Sequence, residues 1–363
     1  MRIGIYNPYL DDLGGGEKYM LKIAECLSEA HEVTFFWDNK EDFEPVLRRF
    51  AIDLSRIKIS ENIFSERVGF LKRLIETMKY DMIIVLSDGS VPTVLSKKLF
   101  LHIQQPIPHV SRKGIKGIIK NLMITKIFCN SFYTKNFVER ELSSKSVVIY
   151  PPVELHPKKI KKENIVLHVG RFRVRDVTSV IKGEKKGVGD YKKQGIMVEA
   201  FKEIEKEMPG WKFVLAVSVR EGEKEEFEKL KKSAHKANID FLVNKTNEEL
   251  WDIYSKAKIY WHASGYGEDL ERNPELAEHF GISTVEAMGA GAVPIVISAG
   301  GQKEIVQEGE TGFLWDTTEE LKSKTIKLSK DEVLLNKLSE GAKERAKFFA
   351  GDRFCREIKN LVE

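Results

Sequence analysis

Cysteine is scarce: Cys26, Cys129 and Cys355 are odd in number and far apart. Such usage points to a reducing compartment and away from a disulfide framework or a zinc site. No apolar run approaches the roughly 18–20 residues that a bilayer-spanning helix needs. The chain enters a strand-like segment, Arg2–Tyr6, without a signal-peptide pattern. The expectation is a soluble cytoplasmic protein, with peripheral attachment to the inner face of the membrane left open. A net charge of +4, with acids and bases interleaved, is too small to imply nucleic-acid binding. There is no Asp-x-Asp to bridge a metal to a diphosphate, no Gly-x-Ser-x-Gly elbow, no internal repeat and no low-complexity segment. No metal site and no cofactor is expected.

What is there fits a globular chain. With 42% hydrophobic and 31% charged residues over 363 positions, the length exceeds one comfortable core and predicts two domains. Short apolar runs alternate with helical spacing: Ile3–Tyr6, Val33–Trp37, Met82–Leu86, Leu99–Ile103 and Lys126–Cys129 read as strands, Glu17–Glu29 as a helix. Val147–Tyr150 is a further strand, stopped by Pro151-Pro152, which places a boundary there. The alternation then restarts at Ile165–Val169 and continues through Trp211–Val217, Ile239–Leu242, Ile259–His262 and Ala292–Ile297. The pattern predicts an α/β protein with parallel sheets: an N-terminal domain at 1–150, a second domain at 151–345, and a C-terminal helix at 346–363 packing back on the first. Ligands of such sheets bind beyond the carboxyl ends of the strands.

The most informative stretch is Glu278-His-Phe-Gly-Ile-Ser-Thr-Val-Glu286, two carboxylates eight residues apart around a glycine that opens a helix. A helix start offers unpaired N–H groups and partial positive charge to a phosphate or a sugar hydroxyl. Ser283-x-x-Glu286 is also a capping box, which explains Glu286 equally well. The stretch continues through Ala287-Met288 to Gly291 and Pro294; Gly300-Gly301-Gln302-Lys303-Glu304-Ile305-Val306 and Thr311-Gly312-Phe313-Leu314 follow. In this order the three segments resemble glycosyltransferase family 4, also called group 1, with its Glu-x7-Glu motif.

The resemblance implies a GT-B fold: two Rossmann-like domains with parallel sheets facing across a cleft, the donor held by the second. It implies a retaining transfer of a hexosyl group from a nucleotide diphosphate sugar to an acceptor hydroxyl, without an obligatory metal. Glu278, with Phe280, Gly281 and Ile282, is then expected at the transferred sugar and Glu286 at the ribose. Gly170-Arg171-Phe172 and Lys192-Lys193-Gln194 are similar to the family's Arg and Lys that neutralise the departing diphosphate, and fixed cations lower the barrier to such a departure. The spacing departs from the family pattern: twenty residues separate Arg171 from Lys192, and Lys193 is an adjacent rival. Gly14-Gly15-Gly16-Glu17 resembles the family's first glycine loop, which implies donor contacts from Gly15 and Gly16. His102, at a strand end, stands where the family often has a histidine near the reacting sugar. Asn130-Ser131-x-x-Thr134 reads as a helix cap first. The loop at 265–277 and the insertion at 173–191 are longer than in relatives.

The form E-H-F-G-I resembles lipid-linked-oligosaccharide mannosyltransferases, which suggests GDP-mannose, with a UDP-sugar as the rival, and a lipid-linked or polysaccharide glycan as acceptor. The alternatives are an enzyme like the UDP-sugar 2-epimerases and a non-catalytic sugar-nucleotide-binding protein. Two basic stretches with apolar interleaving, Arg67–Lys79 and Arg112–Lys126, are candidates for peripheral membrane contact; ordinary helices with core-facing apolar sides are the bland reading.

Overall fold

The computed structural model describes residues 1–10, 15–44, 52–107, 122–142, 145–175 and 189–363. Gly14, most of Arg112–Lys126 and most of the 173–191 insertion lie outside them. The described residues form two units, 1–152 with 349–363 and 153–348.

In the first unit the short apolar runs become strands β1 (Arg2–Tyr6), β2 (Glu32–Phe36), β3 (Ile57–Ser60), β4 (Met82–Leu86), β5 (Lys98–Ile103), β6 (Lys126–Cys129) and β7 (Ser146–Val148). They pair in parallel in the order β3-β2-β1-β4-β5-β6-β7. Every residue of β4 is buried, which is why the central strands read as continuous hydrophobic runs without alternation. The edge strand β3, IKIS, alternates over only four residues, too short a pattern for the sequence to announce. Helix α1 (Gly15–Ser28) follows β1 and buries Met20, Ile23, Ala24 and Leu27 against the sheet. Helix α2 is Phe70–Thr77. Helix α3 (Phe132–Leu142) is capped by Ser131, whose Oγ accepts from Thr134 N at 3.1 Å.

The chain's last helix, here α11 (Gly351–Val362), belongs to this unit and buries Phe354, Ile358, Leu361 and Val362. Lys98 and Lys126 donate to the Val362 and Leu361 carbonyls at 3.4 and 2.6 Å, placing positive charge at the negative end of its dipole. A disulfide, Cys26–Cys355, joins α11 to α1. It overturns the expectation drawn from cysteine spacing. The two residues are 329 apart in sequence, and only the return of α11 onto α1 brings their Cα atoms to 5.3 Å. Cys129 remains a buried thiol.

The second unit contains β8 (Glu163–Arg171), a two-stranded antiparallel pair β9 (Val174–Arg175) and β10 (Gly189–Asp190), then β11 (Lys212–Ser218), β12 (Ile239–Val243), β13 (Ala257–His262), β14 (Val293–Ile297) and β15 (Phe313–Trp315). Its sheet is parallel, ordered β12-β11-β8-β13-β14-β15. Helices α4 (Gln194–Ile204), α5 (Lys224–Ser233), α6 (Asn247–Lys256), α7 (Ile282–Gly289), α8 (Gln302–Ile305), α9 (Thr318–Lys330) and α10 (Glu332–Lys347) complete it. Thr246 and Glu249 form a capping box on α6, and Thr317 and Glu320 one on α9. Trp261, Phe201 and Phe213 sit in the core beneath the sheet.

Both sheets reverse strand order beside their first strand, between β1 and β4 and between β8 and β13. Adjacent crossovers there run to opposite faces and leave a crevice at the carboxyl ends.

Thiol titration of the denatured, unreduced chain should find one reactive thiol and, after reduction, three. Replacing Cys355 with Ser should cost the first unit about 2–4 kcal/mol of stability by denaturant titration. Three thiols before reduction would remove the disulfide.

Candidate active site

The strand reversal between β8 and β13 places the end of β8 (Gly170, Arg171) beside the end of β13 (His262). Glu278, reached by the loop after β13, joins them. Its Oε2 accepts a hydrogen bond from Lys192 Nζ at 2.6 Å and faces His262 Nε2 at 3.0 Å. The Glu278 side chain is 22% exposed and Lys192 17%. Burial raises the Glu278 pKa, but the charge of Lys192 and the His262 hydrogen bond outweigh it and hold the carboxyl well below its usual range. An ionised carboxylate only accepts, so the imidazole proton is on Nε2. Burial keeps His262 neutral against the pull of Glu278. Its Nδ1 is then a bare acceptor, buried and without a partner among the described residues.

Behind this pair lies a second histidine. His168 Nδ1 donates to the Trp261 carbonyl at 3.0 Å, tying β8 to β13, and its Nε2 lies 3.2 Å from Gln194 Nε2, which donates to it. Gln194 also donates to the Arg171 carbonyl at 3.4 Å. The first residue of α4 thus fixes the backbone of Arg171, and the two preceding residues reach toward the 268–278 segment. The imidazoles of His168 and His262 are 6.2 Å apart.

The backbone at Lys193 sends the adjacent lysines to different partners. Lys193 is left-handed, with φ 57° and ψ 33°, and this turns the two side chains apart. Lys192 goes to Glu278, while Lys193 pairs with Glu268. Tyr191 donates to the Glu275 carbonyl at 2.7 Å. Three consecutive residues thus hold the 265–277 loop and Glu278 together.

Glu278 is followed by Phe280, buried at the base of α7, and by Gly281, the N-cap, with φ 120°. A side chain at Gly281 would be strained by that φ and would strike Gln302. Ile282 opens α7 and is half-buried. The Gly300-Gly301 turn presses on the same backbone: Gly301 N donates to the Glu278 carbonyl at 2.8 Å, and a Cβ on Gly301 would meet Phe280 Cα at 2.5 Å. That motif therefore supports the position of Glu278. The capping-box reading of Glu286 is not what forms. Ser283 Oγ lies 2.8 Å from Tyr260 Oη, and Glu286 accepts from Tyr254 Oη at 2.9 Å.

The remaining candidates lie in the first unit. Gly15 and Gly16 open α1, and a Cβ on Gly16 would fall on the Gln104 carboxamide. His102 is fully buried in β5, its ring stacked between Tyr19, 3.9 Å away, and Phe128, 4.8 Å away. Burial holds its pKa at about 3. His168 and His262 went unrecognised in the sequence. The signal available was that His262 is the last residue of the strand before the 265–277 loop and the Glu-x7-Glu segment.

Residues 187–345 match the family model described as glycosyl transferases group 1. That segment is similar to the group 1 glycosyltransferases, and the chain has the GT-B fold. An uncharacterized glycosyltransferase of Methanocaldococcus jannaschii is 25% identical, the alignment covering 99% of this chain and 96% of that one. The Dictyostelium discoideum GDP-Man:Man(3)GlcNAc(2)-PP-Dol alpha-1,2-mannosyltransferase is 24% identical over 88% of this chain and 75% of its own. Among solved structures, Anabaena HepE in complex with UDP superposes with a TM-score of 0.74 at 17% identity, covering 100% and 99% of the two chains. HepE has also been solved with UDP-glucose.

His168 has a pKa of about 3, pushed down from 6.5 chiefly by burial. Between those two values the unfolded chain binds a proton there that the native chain does not, so stability falls as pH falls through the window. Melting temperatures of the second unit should decline from pH 7 to pH 4, and His168→Asn should flatten the decline. A pH-independent wild-type melt would refute the neutral buried histidine.

Proposed function

We propose that the chain is a retaining hexosyltransferase that takes its sugar from a nucleotide diphosphate, with the Glu278–Lys192 pair at the centre of the donor site. The observation that supports this most directly is a carboxylate kept ionised at the start of α7 by a lysine 2.6 Å away, at the carboxyl ends of β8 and β13. On this reading Glu278 accepts hydrogen bonds from the hydroxyls of the transferred sugar. Phe280, Gly281 and Ile282 shape the backbone beside it, and Glu286 holds the ribose. The bond from the anomeric carbon to the phosphate oxygen breaks, and the electron pair leaves with the nucleotide diphosphate. Arg171 and Lys192 neutralise that charge as it develops. The acceptor oxygen bonds to the same face of the anomeric carbon, and its proton passes to the departing phosphate.

GDP-mannose is the first donor to test, supported by the E-H-F-G-I segment and by the name of the Dictyostelium relative. A UDP-sugar is the second, supported by the HepE complexes. The acceptor is a hydroxyl of a lipid-linked or polysaccharide glycan.

A panel of nucleotide sugars, read by thermal shift and by release of free nucleotide, should single out one donor. Glu278→Gln keeps the shape and removes the charge, and it should lower kcat about 10²–10³-fold while nucleotide binding and the melt persist. Wild-type turnover in that variant would sink the assignment. An altered free sugar formed without acceptor would replace transfer with epimerisation. Lys192→Met should act on kcat, whereas Lys193→Met, which loosens the 265–277 loop, should act mainly on KM. Equal losses of kcat in the two would contradict the division between them.

A further inference from the structure

Helix α2 (Phe70–Thr77) presents an apolar face to solvent. Phe70 is 56% exposed, Leu71 73%, Ile75 60% and Met78, its C-cap, 62%. At 100° per residue, positions 70, 71, 74, 75 and 78 fall within an arc of about 140°. The side bound to the fold is that of Arg73 and Thr77, next to Phe70 at one edge of this arc. Thr77 is buried and its Oγ1 donates to the Leu74 carbonyl at 2.9 Å. Arg73 donates to the carbonyls of Ile63, Phe64 and Ser65 at 3.1, 3.3 and 3.3 Å. The helix is therefore fastened through Arg73 and Thr77 and leaves Leu71, Ile75 and Met78 turned outward, unlike an ordinary surface helix, whose apolar stripe faces the core. The surface continues onto Leu95, 51% exposed, whose N–H donates to Thr77 Oγ1 at 3.0 Å.

We propose that this face docks on an anionic lipid bilayer. The charges at its margin fit that occupant. The stretch 67–79 carries Arg67, Lys72, Arg73 and Lys79 against the single acid Glu76. Lys72 and Lys79 stand beside the apolar arc and, among the described residues, pair with Glu61 and Glu76, all four partly exposed to solvent. Exposed pairs of this kind contribute little, so the ammonium groups can exchange a carboxylate for a lipid phosphate. An apolar stripe with basic flanks and low mean hydropathy lies in the plane of a membrane interface and does not cross it. Among the described residues no helix is long and apolar enough to cross one. The inference does not rest on the proposed glycosyl transfer, because its readout is partition onto lipid.

The test is sedimentation with vesicles of phosphatidylcholine alone and of phosphatidylcholine mixed with phosphatidylglycerol. The wild-type chain should sediment with the mixed vesicles, less so as salt is raised, and stay in solution with the neutral ones. The double variant Leu71→Asp, Ile75→Asp changes only exposed positions and should melt as the wild type does. It should lose at least about 10-fold in partition. Lys72→Glu with Lys79→Glu should weaken binding to the mixed vesicles specifically. Equal sedimentation with both kinds of vesicle, or unchanged binding by the aspartate variant, overturns the proposal. A dimer by light scattering that the same aspartate variant dissolves assigns the face to a second copy of the chain and overturns it as well.

Discussion

A carboxylate taken largely out of water has to be compensated, and the second unit is organised around compensating Glu278. Desolvating an ion costs several kcal/mol, and a partner repays that only when geometry and further hydrogen bonds are right. Here one oxygen receives both the Lys192 ammonium and the His262 N–H. Each of those groups is held by something else. His262 ends a central strand, Lys192 is aimed by the left-handed turn at Lys193, and the backbone of Glu278 is pinned by the Gly300-Gly301 turn. The glycines, the unusual backbone at 193 and the buried histidines are separate features in sequence that serve one charge.

The sheet order explains why these parts meet. With β8 and β13 adjacent, the ends of the two strands, at Arg171 and His262, are neighbours although far apart in sequence. His168 fastens the two strands just below, where its N–H reaches the Trp261 carbonyl. The first unit repeats the strand order around a different core, stacked on Tyr19, His102 and Phe128. It is closed by α11, a helix from the far end of the chain held by a disulfide, aromatic packing and two lysines at its carbonyl end.

What could be read in advance follows from what is local. Buried parallel strands announce themselves as apolar runs, and a Glu-x7-Glu segment around a glycine is contiguous, so the α/β class and the Glu278 segment were legible. The edge strands β3 and β15 have too few residues to show a period. The disulfide joins residues whose proximity exists only after folding, and cysteine spacing misled for that reason. Lys192 and Lys193 part at a single left-handed residue, which propensity does not encode. Ser283-x-x-Glu286 fits a capping box by spacing, yet Gly281 begins the helix two residues earlier and leaves both side chains to the tyrosines Tyr260 and Tyr254.

The proposed mechanism asks two things of Lys192, and the structure suggests how they are reconciled. The ammonium neutralises Glu278, and on the proposed mechanism it also faces a diphosphate carrying more charge than one carboxylate. A lysine that turned wholly to the phosphate would strand Glu278 as a buried anion, at a cost that would count against donor binding. His262 removes much of that cost, because its N–H stays on the same carboxylate oxygen whichever way Lys192 points. The sugar hydroxyls then supply the donors that the lysine withdraws. On this view the histidine is neutral for a reason: a protonated ring would bind Glu278 more tightly, but it would compete with the sugar for the carboxylate and place a third charge among groups that already balance.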